Sequence, residues 1–384
     1  MSWRPWLSRW SQEWIRSREP GQEDPEILRD GWLGFAPASE EAIAGAEGRI
    51  GRTLPPSYRE FLLTTDGWRH AGVFVDQMLD TSDIGWLRDI EPFWEEAWKD
   101  LLDENPAPED GNPLGRGLLI SREGDAQILF LDPGDVDAEG EWAAYILSSW
   151  SDGPRRFASF TALMEDLYAT FHNIDQPEGQ TRDDWDTAVE QARAAALAGA
   201  VDAAAQLLEE AEKFGRDRAT VLRAQLQMFL NRERMDTTQS LRRWVAAAPG
   251  FANFRDDPLF TAELLPTLFA DHAANARPYQ STVLQTAMLD ERMHLIIGEY
   301  QARLRRGGPE LEFGNPEFNA LIRQALREHA DDPDALWEAV GAALVRWRPR
   351  TPDHIAPIAL LADPILAETL TPERGHALLS RPRG

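Results

Sequence analysis

Apolar residues recur at helical spacing from the first turn of the chain. Trp3, Trp6, Trp10 and Trp14, with Leu7 and Ile15, fall on one stripe of SWRPWLSRWSQEWI. A helix rich in Trp and Arg either docks on its own domain or lies on a membrane. The acidity of the rest of the chain opposes anionic lipid, so docking is the expected outcome. Residues 39–63 read as two helices. Ser39 caps the first, Glu40 and Glu41 sit where the helix dipole favours acids, and Ile43, Glu47 and Ile50 repeat at helical spacing up to Gly51. Leu54-Pro55-Pro56-Ser57 opens the second, in which Tyr58, Phe61 and Leu62 share a face, and Asp66-Gly67 ends it.

The period then changes. GVFVDQML at 72–79 is short, β-branched and aromatic, as a strand should be, and 83–90 reads as an edge strand or a loop. FWEEAWKDLL at 93–102 puts Trp94, Trp98 and Leu101 on one side of a short helix. Residues 104–113 form an acidic, Pro-rich loop. GLLIS at 117–121 and AQILFLD at 126–132 flank a hairpin turn, EWAAYILSSW at 141–150 is a further strand, and a helix runs from Phe157 to Phe171.

From Asp183 strand signals give way to Ala, Leu and Arg, with a polar linker at 175–184. Helices are expected near 183–198, 202–213, 217–230 and 236–248, then at 263–275, 283–306, 316–329 and 335–347. Gly199, Ala204, Leu208 and Ala211 have the spacing of a second tetratricopeptide helix, and Leu241 and Pro249 echo it about 33 residues later. A generic helical bundle needs the same small residues at its crossings, so repeat and bundle both stand. The expected organisation is therefore α+β followed by all-α. A leading helix and linker occupy 1–35, a mixed domain 36–175, and a helical domain 183–384 with its repeat-like part at 183–249.

Composition narrows the function. The 384 residues are 43% hydrophobic, which excludes a mainly disordered chain. No apolar run spans a bilayer, and the Arg-broken start is not a secretory signal, so the cytoplasm is the expected location. Cysteine is absent, which removes disulfides, thiolate metal sites and cysteine nucleophiles. The formal charge is −26, and 28 Asp/Glu against 10 Lys/Arg lie within 36–175. Such a surface repels nucleic acid and steers basic proteins.

Signatures of catalysis are missing. No two of the seven His are three or four residues apart, and no P-loop, G-x-S-x-G or G-x-G-x-x-G occurs. Asp135-Val136-Asp137-Ala138-Glu139-Gly140 starts like a calcium loop, but its twelfth position is Ile146, so a solvated hairpin loop is expected. Glu95 and Glu96 are adjacent on a helix and point about 100° apart, so they do not face one site. No enzyme, metal or cofactor is expected. For protein binding, Asp66, Trp68, Arg69, Asp76, Asp83, Trp86 and Asp89 cluster around the helix-to-sheet corner. Trp and Arg anchor interfaces and acids draw a basic partner. Alternatively both Trp are core and the acids only keep the chain soluble.

The stretch Ile43, Glu47, Ile50-Gly51, Leu54-Pro55, Tyr58-Arg59, Phe61-Leu62, Asp66-Gly67 resembles the opening of the SUKH superfamily, with Asp66 where Asn is more usual. The later strands and Ser159-Phe160-Thr161-Ala162-Leu163-Met164 follow the family order, so the resemblance covers about 36–172. It implies a mixed α+β domain without catalytic residues, found in fungal cell-wall-assembly regulators and bacterial immunity proteins. The matched positions make the fold and carry no binding site across. The expected function is an immunity protein that neutralises a basic toxin, of nuclease or deaminase type, through the acidic domain. The alternative is a scaffold or regulator of the cell-wall-assembly type whose helical half docks clients.

Overall fold

The computed structural model describes residues 2–18, 25–104, 112–122, 124, 126–230, 258–274, 291–307 and 310–384. The chain divides into two units, Met1–Arg182 and Asp183–Gly384.

In the first unit the leading stripe forms α1 (Trp3–Ser17), and Trp3, Leu7, Trp10 and Trp14 are buried. The helix docks on its own domain: Trp3 meets Phe61 at 5.5 Å and Phe160 at 5.6 Å, and Trp10 meets Tyr168 at 5.0 Å and Trp68 at 5.9 Å. After α2 (Pro25–Asp30) comes α3 (Glu40–Ile50), whose Ser39 hydroxyl accepts the Ala42 N–H at 3.2 Å. Gly51 takes φ +70°, a left-handed stop that costs glycine little. Pro56 opens α4 (Pro56–Thr64), and Tyr58, Phe61 and Leu62 are buried, as their shared face requires.

Two sheets follow. β1 (Trp68–Gly72) and β2 (Val75–Met78) form an antiparallel hairpin. The strand expected at 72–79 is therefore the return arm of a hairpin turning at Val73-Phe74. Those tip residues are apolar and carry no turn signal, so the run reads as continuous. The second sheet is antiparallel, in the order β3 (Gly85–Trp86), β4 (Leu118–Leu119), β5 (Gln127–Val136), β6 (Trp142–Ser148), β7 (Arg155–Phe157). The ambiguous stretch 83–90 resolves into β3 running straight into the short helix α5 (Leu87–Ile90), followed by α6 (Pro92–Glu104). β5 continues past Asp132 with a register shift before Val136, because Pro133 cannot donate to a ladder. β7 (Arg155–Phe157) takes Phe157, where the helix was expected to start, and α7 (Phe160–Asp175) begins after Ser159. α7 packs on β6, every residue of which is buried.

The second unit has no strand among its described residues. α8 (Gln180–Ala198), α9 (Val201–Lys213) and α10 (Asp217–Leu230) lie where helices were expected. Ala204, Leu208 and Ala211 are buried on α9, and a Cβ on Gly199 would lie 2.4 Å from the Ser380 carbonyl oxygen. Leu241, Pro249, the helix expected at 236–248 and the first part of the helix expected at 283–306 lie outside the described residues. A π-helical turn, Phe260–Leu264, leads into α11 (Leu265–Ala274). Then come α12 (Glu291–Arg305), α13 (Pro316–His329), α14 (Pro333–Ala343), α15 (Pro364–Thr369) and α16 (Pro372–Leu379). The expected helix at 335–347 ends as α14 plus a 3₁₀ turn, Leu344–Arg346.

Candidate protein-binding surface

The seven residues at the helix-to-sheet corner do not share one role. Asp66, just past α4, accepts the Thr81 N–H at 2.7 Å and its hydroxyl at 2.9 Å, tying the corner to the β2–β3 connection. Trp68 is wholly buried, edge-on to Trp32 at 5.0 Å. It is core rather than a surface anchor, because α1 lays Trp10 over it. The Arg69 guanidinium lies 4.2 Å from the Phe35 ring centroid and 3.2 Å from Glu26, which occupies it within the domain. Asp76 is exposed on β2. Asp83 and Asp89 are exposed and Trp86 is half-buried. These last three lie on the short run that carries β3 and α5, whereas Asp76 belongs to the other sheet.

Exposed apolar residues were less legible. Phe93 is 67% exposed and Ile90 42% exposed, at the start of α6 and the end of α5. The signal for Phe93 was present, since it falls off the Trp94–Trp98 face of its helix. Trp150 is 58% exposed and meets Phe74 edge-on at 5.5 Å. With Val73, Gln127, Ile146 and Leu167 they line a cleft of about 260 Å³. No signal marked it, because Val73-Phe74 read as mid-strand.

Several acids are structural instead. Glu13 on α1 is almost fully buried. Its carboxylate accepts the Tyr168 hydroxyl, His172 Nε2–H at 3.0 Å and the Thr181 N–H at 3.0 Å. Burial raises its pKa, but the bonds from His172, Tyr168 and Thr181 outweigh that and hold it below the usual carboxylate value. Asp132, wholly buried, accepts Arg116 Nε at 2.5 Å, Nη2 at 2.8 Å and the Gly134 N–H at 2.8 Å. In the β5–β6 turn Asp137 accepts the N–H groups of Glu139 and Glu141, each at 2.9 Å, which occupies the calcium-like stretch with turn bonds. Among the described residues, no group of three His, Cys, Asp or Glu is arranged to hold a metal ion.

The second unit has its own buried polar cluster. Glu263, on the π-helical turn, accepts Arg350 Nε at 2.7 Å and the Ala359 N–H at 2.9 Å. His354 Nδ1 accepts the Arg350 N–H at 3.1 Å, so its proton sits on Nε2, 3.7 Å from Glu263. Burial pushes Glu263 up to about 7 and His354 down to about 3. Neither side chain is exposed.

Residues 37–166 match the model of the SMI1 / KNR4 family (SUKH-1), a family of immunity proteins and cell-wall regulators whose members are generally non-enzymatic binding modules. No curated protein and no solved structure matches the chain. Among the described residues, no helix is long and apolar enough to cross a membrane.

Proposed function

Since the first unit carries a domain of the SUKH superfamily, we propose that the protein is a non-enzymatic binding module that neutralises a basic toxin. The observation that carries this reading is uncompensated negative charge. Residues 36–175 hold 28 acids against 10 bases. Among the described residues, no ion pair engages the carboxylates of Asp76, Glu91 and Glu96, whereas buried acids such as Asp132 have their own partners. Excess surface charge of one sign accelerates encounter with the opposite sign and selects against acidic competitors. Neutralisation then needs no chemistry on the partner, only occupation of its working face.

The full chain, immobilised and exposed to lysate of its source cell at low salt, should retain a basic protein in stoichiometric amount. A salt gradient should release it, because exposed charges more than a Debye length apart are screened. Retention that is indifferent to salt, or of acidic and neutral proteins only, would refute the electrostatic mechanism. The latter outcome would favour the scaffold reading, with clients held by the helical half.

A further inference from the structure

The uncompensated acids of the first unit are not spread evenly around its exposed apolar side chains. Residues 83–96 contain Asp83, Asp89, Glu91, Glu95 and Glu96 against one base, Arg88. Arg88 pairs with Asp89 at 3.9 Å and Arg122 with Asp83 at 3.5 Å, whereas no ion pair among the described residues engages Glu91 or Glu96. Within this run lie half-buried Trp86 and the exposed Ile90 and Phe93. The fold draws them together: a Cβ on Gly85 would lie 2.8 Å from Ile90 Cδ1, so the Ile90 side chain folds back over the edge strand. Pro92 then starts α6, which presents Phe93, Glu96 and Ala97 to solvent. The other exposed aromatic, Trp150, has a different setting. Near its cleft Arg155 pairs with Asp166 and Arg156 with Asp135, so those charges are matched. Ile90 and Phe93, with Glu91 and Glu96 beside them and outside any ion pair among the described residues, suit a partner that brings both cations and aliphatic surface.

Resting on the proposed function, we propose that the β3–α5–α6 face is the docking surface, and that its occupant is an arginine-bearing face of the basic partner. Arginine fits better than lysine. A guanidinium stacks flat on the Phe93 ring while forking onto a carboxylate, whereas an ammonium makes only a point contact. Glu96 lies three residues along α6 from Phe93, on the same side of the helix. β3 is two residues long, too short to template a partner strand, so recognition here is by side chains.

The test uses the full chain and each basic protein it retains from its source cell's lysate, purified and titrated against variants. Phe93→Ala should weaken binding by about 30-fold, the loss expected for an interface anchor. Glu96→Arg should do so at least as strongly. Glu139→Arg makes the same charge change in the exposed β5–β6 turn and should cost less than about 3-fold, since a rim charge acts only at long range. Trp150→Ala should be silent. Every replaced side chain is exposed, so the unfolding midpoint should not move. Equal losses for Glu139→Arg and Glu96→Arg, a silent Phe93→Ala, or a loss that follows Trp150→Ala would each overturn the assignment and leave the basic-partner reading intact. If the unaltered chain retains no basic protein, the reading and the assignment fall together.

Discussion

Replacing Trp10 with Ala tests whether α1 belongs to the first unit's core. The side chain is wholly buried and lies 5.3 Å from Trp6, 5.0 Å from Tyr168 and 5.9 Å from Trp68, ring to ring. Truncating a buried Trp to Ala costs about 3–5 kcal/mol. One contribution runs the other way. The Trp10 Nε1–H is buried without a hydrogen-bond partner, and deleting such a donor returns about 1–3 kcal/mol. The expected net loss is about 2 kcal/mol, which for a unit of this size lowers its unfolding midpoint by about 4–8 °C. Trp10→Phe keeps a ring and drops the orphan N–H, so it should lose about 1 kcal/mol or less. Eleven of the fifteen Trp lie in the first 150 residues, so intrinsic fluorescence during thermal unfolding reports mainly on this unit. Trp10→Ala and Trp10→Phe both leaving the unfolding midpoint unchanged or higher would refute the docking of α1.

Three further outcomes are expected. Asp132→Ala leaves the Arg116 guanidinium without its paired carboxylate and should cost about 3 kcal/mol, at the low end for a buried pair because Arg116 keeps some solvent; Asp132→Asn, which can still accept, should cost less in urea titration. In the second unit two pH dependences oppose each other. Glu263, raised to about 7, favours the folded state below the unfolded carboxyl pKa, and that contribution is lost as pH rises towards 7; His354, lowered to about 3, favours it above the unfolded imidazole pKa and loses it as pH falls. Between the two unfolded values, about 4.5 and 6.5, the slopes cancel, so His354→Gln should expose a stability that declines with rising pH, visible in calorimetry from pH 4.5 to 7. An unchanged pH profile in that variant would refute the pairing of effects. Gly375→Ala should destabilise by more than about 3 kcal/mol, because the added Cβ would sit 1.9 Å from the Phe229 carbonyl oxygen and α16 must move off α10; wild-type stability by circular dichroism would contradict that contact.

Local chemistry decided what could be read in advance. The α3–α4 pair was legible because Ser39, Gly51 and Pro55-Pro56 punctuate it within a few residues. β6 was legible because its apolar run is short, carries Trp142, Tyr145 and Ile146, and is bounded by Gly140 and Ser148-Ser149, which favours a buried strand over a helix. The hairpin tip at Val73-Phe74 was not, since an apolar turn gives no local sign. Nor was the role of the acids. Asp66, Asp132 and exposed Asp76 look alike as letters, and only tertiary placement separates a latch from a rim charge. The Glu13–His172 bond joins residues 159 positions apart, beyond any periodicity. Trp68 shows the same limit from the apolar side: a Trp beside an Arg suits an anchor or a core, and the position of α1 settles which.

That long-range tie has a consequence for how the chain is made. α1 finds the partners of Glu13 only at Tyr168, His172 and Thr181, so roughly the whole first unit must leave the ribosome before the helix can seat. At about 5–20 residues per second, its four Trp stay uncovered for roughly 10–30 s. During that interval the nascent chain displays a sticky amphipathic segment whose partners on α7 have not yet emerged, although Phe61 and Trp68 have. α1 is thus synthesised well before the elements it settles on, and chaperone demand should track residues 3–17 more closely than the proposed acidic docking face.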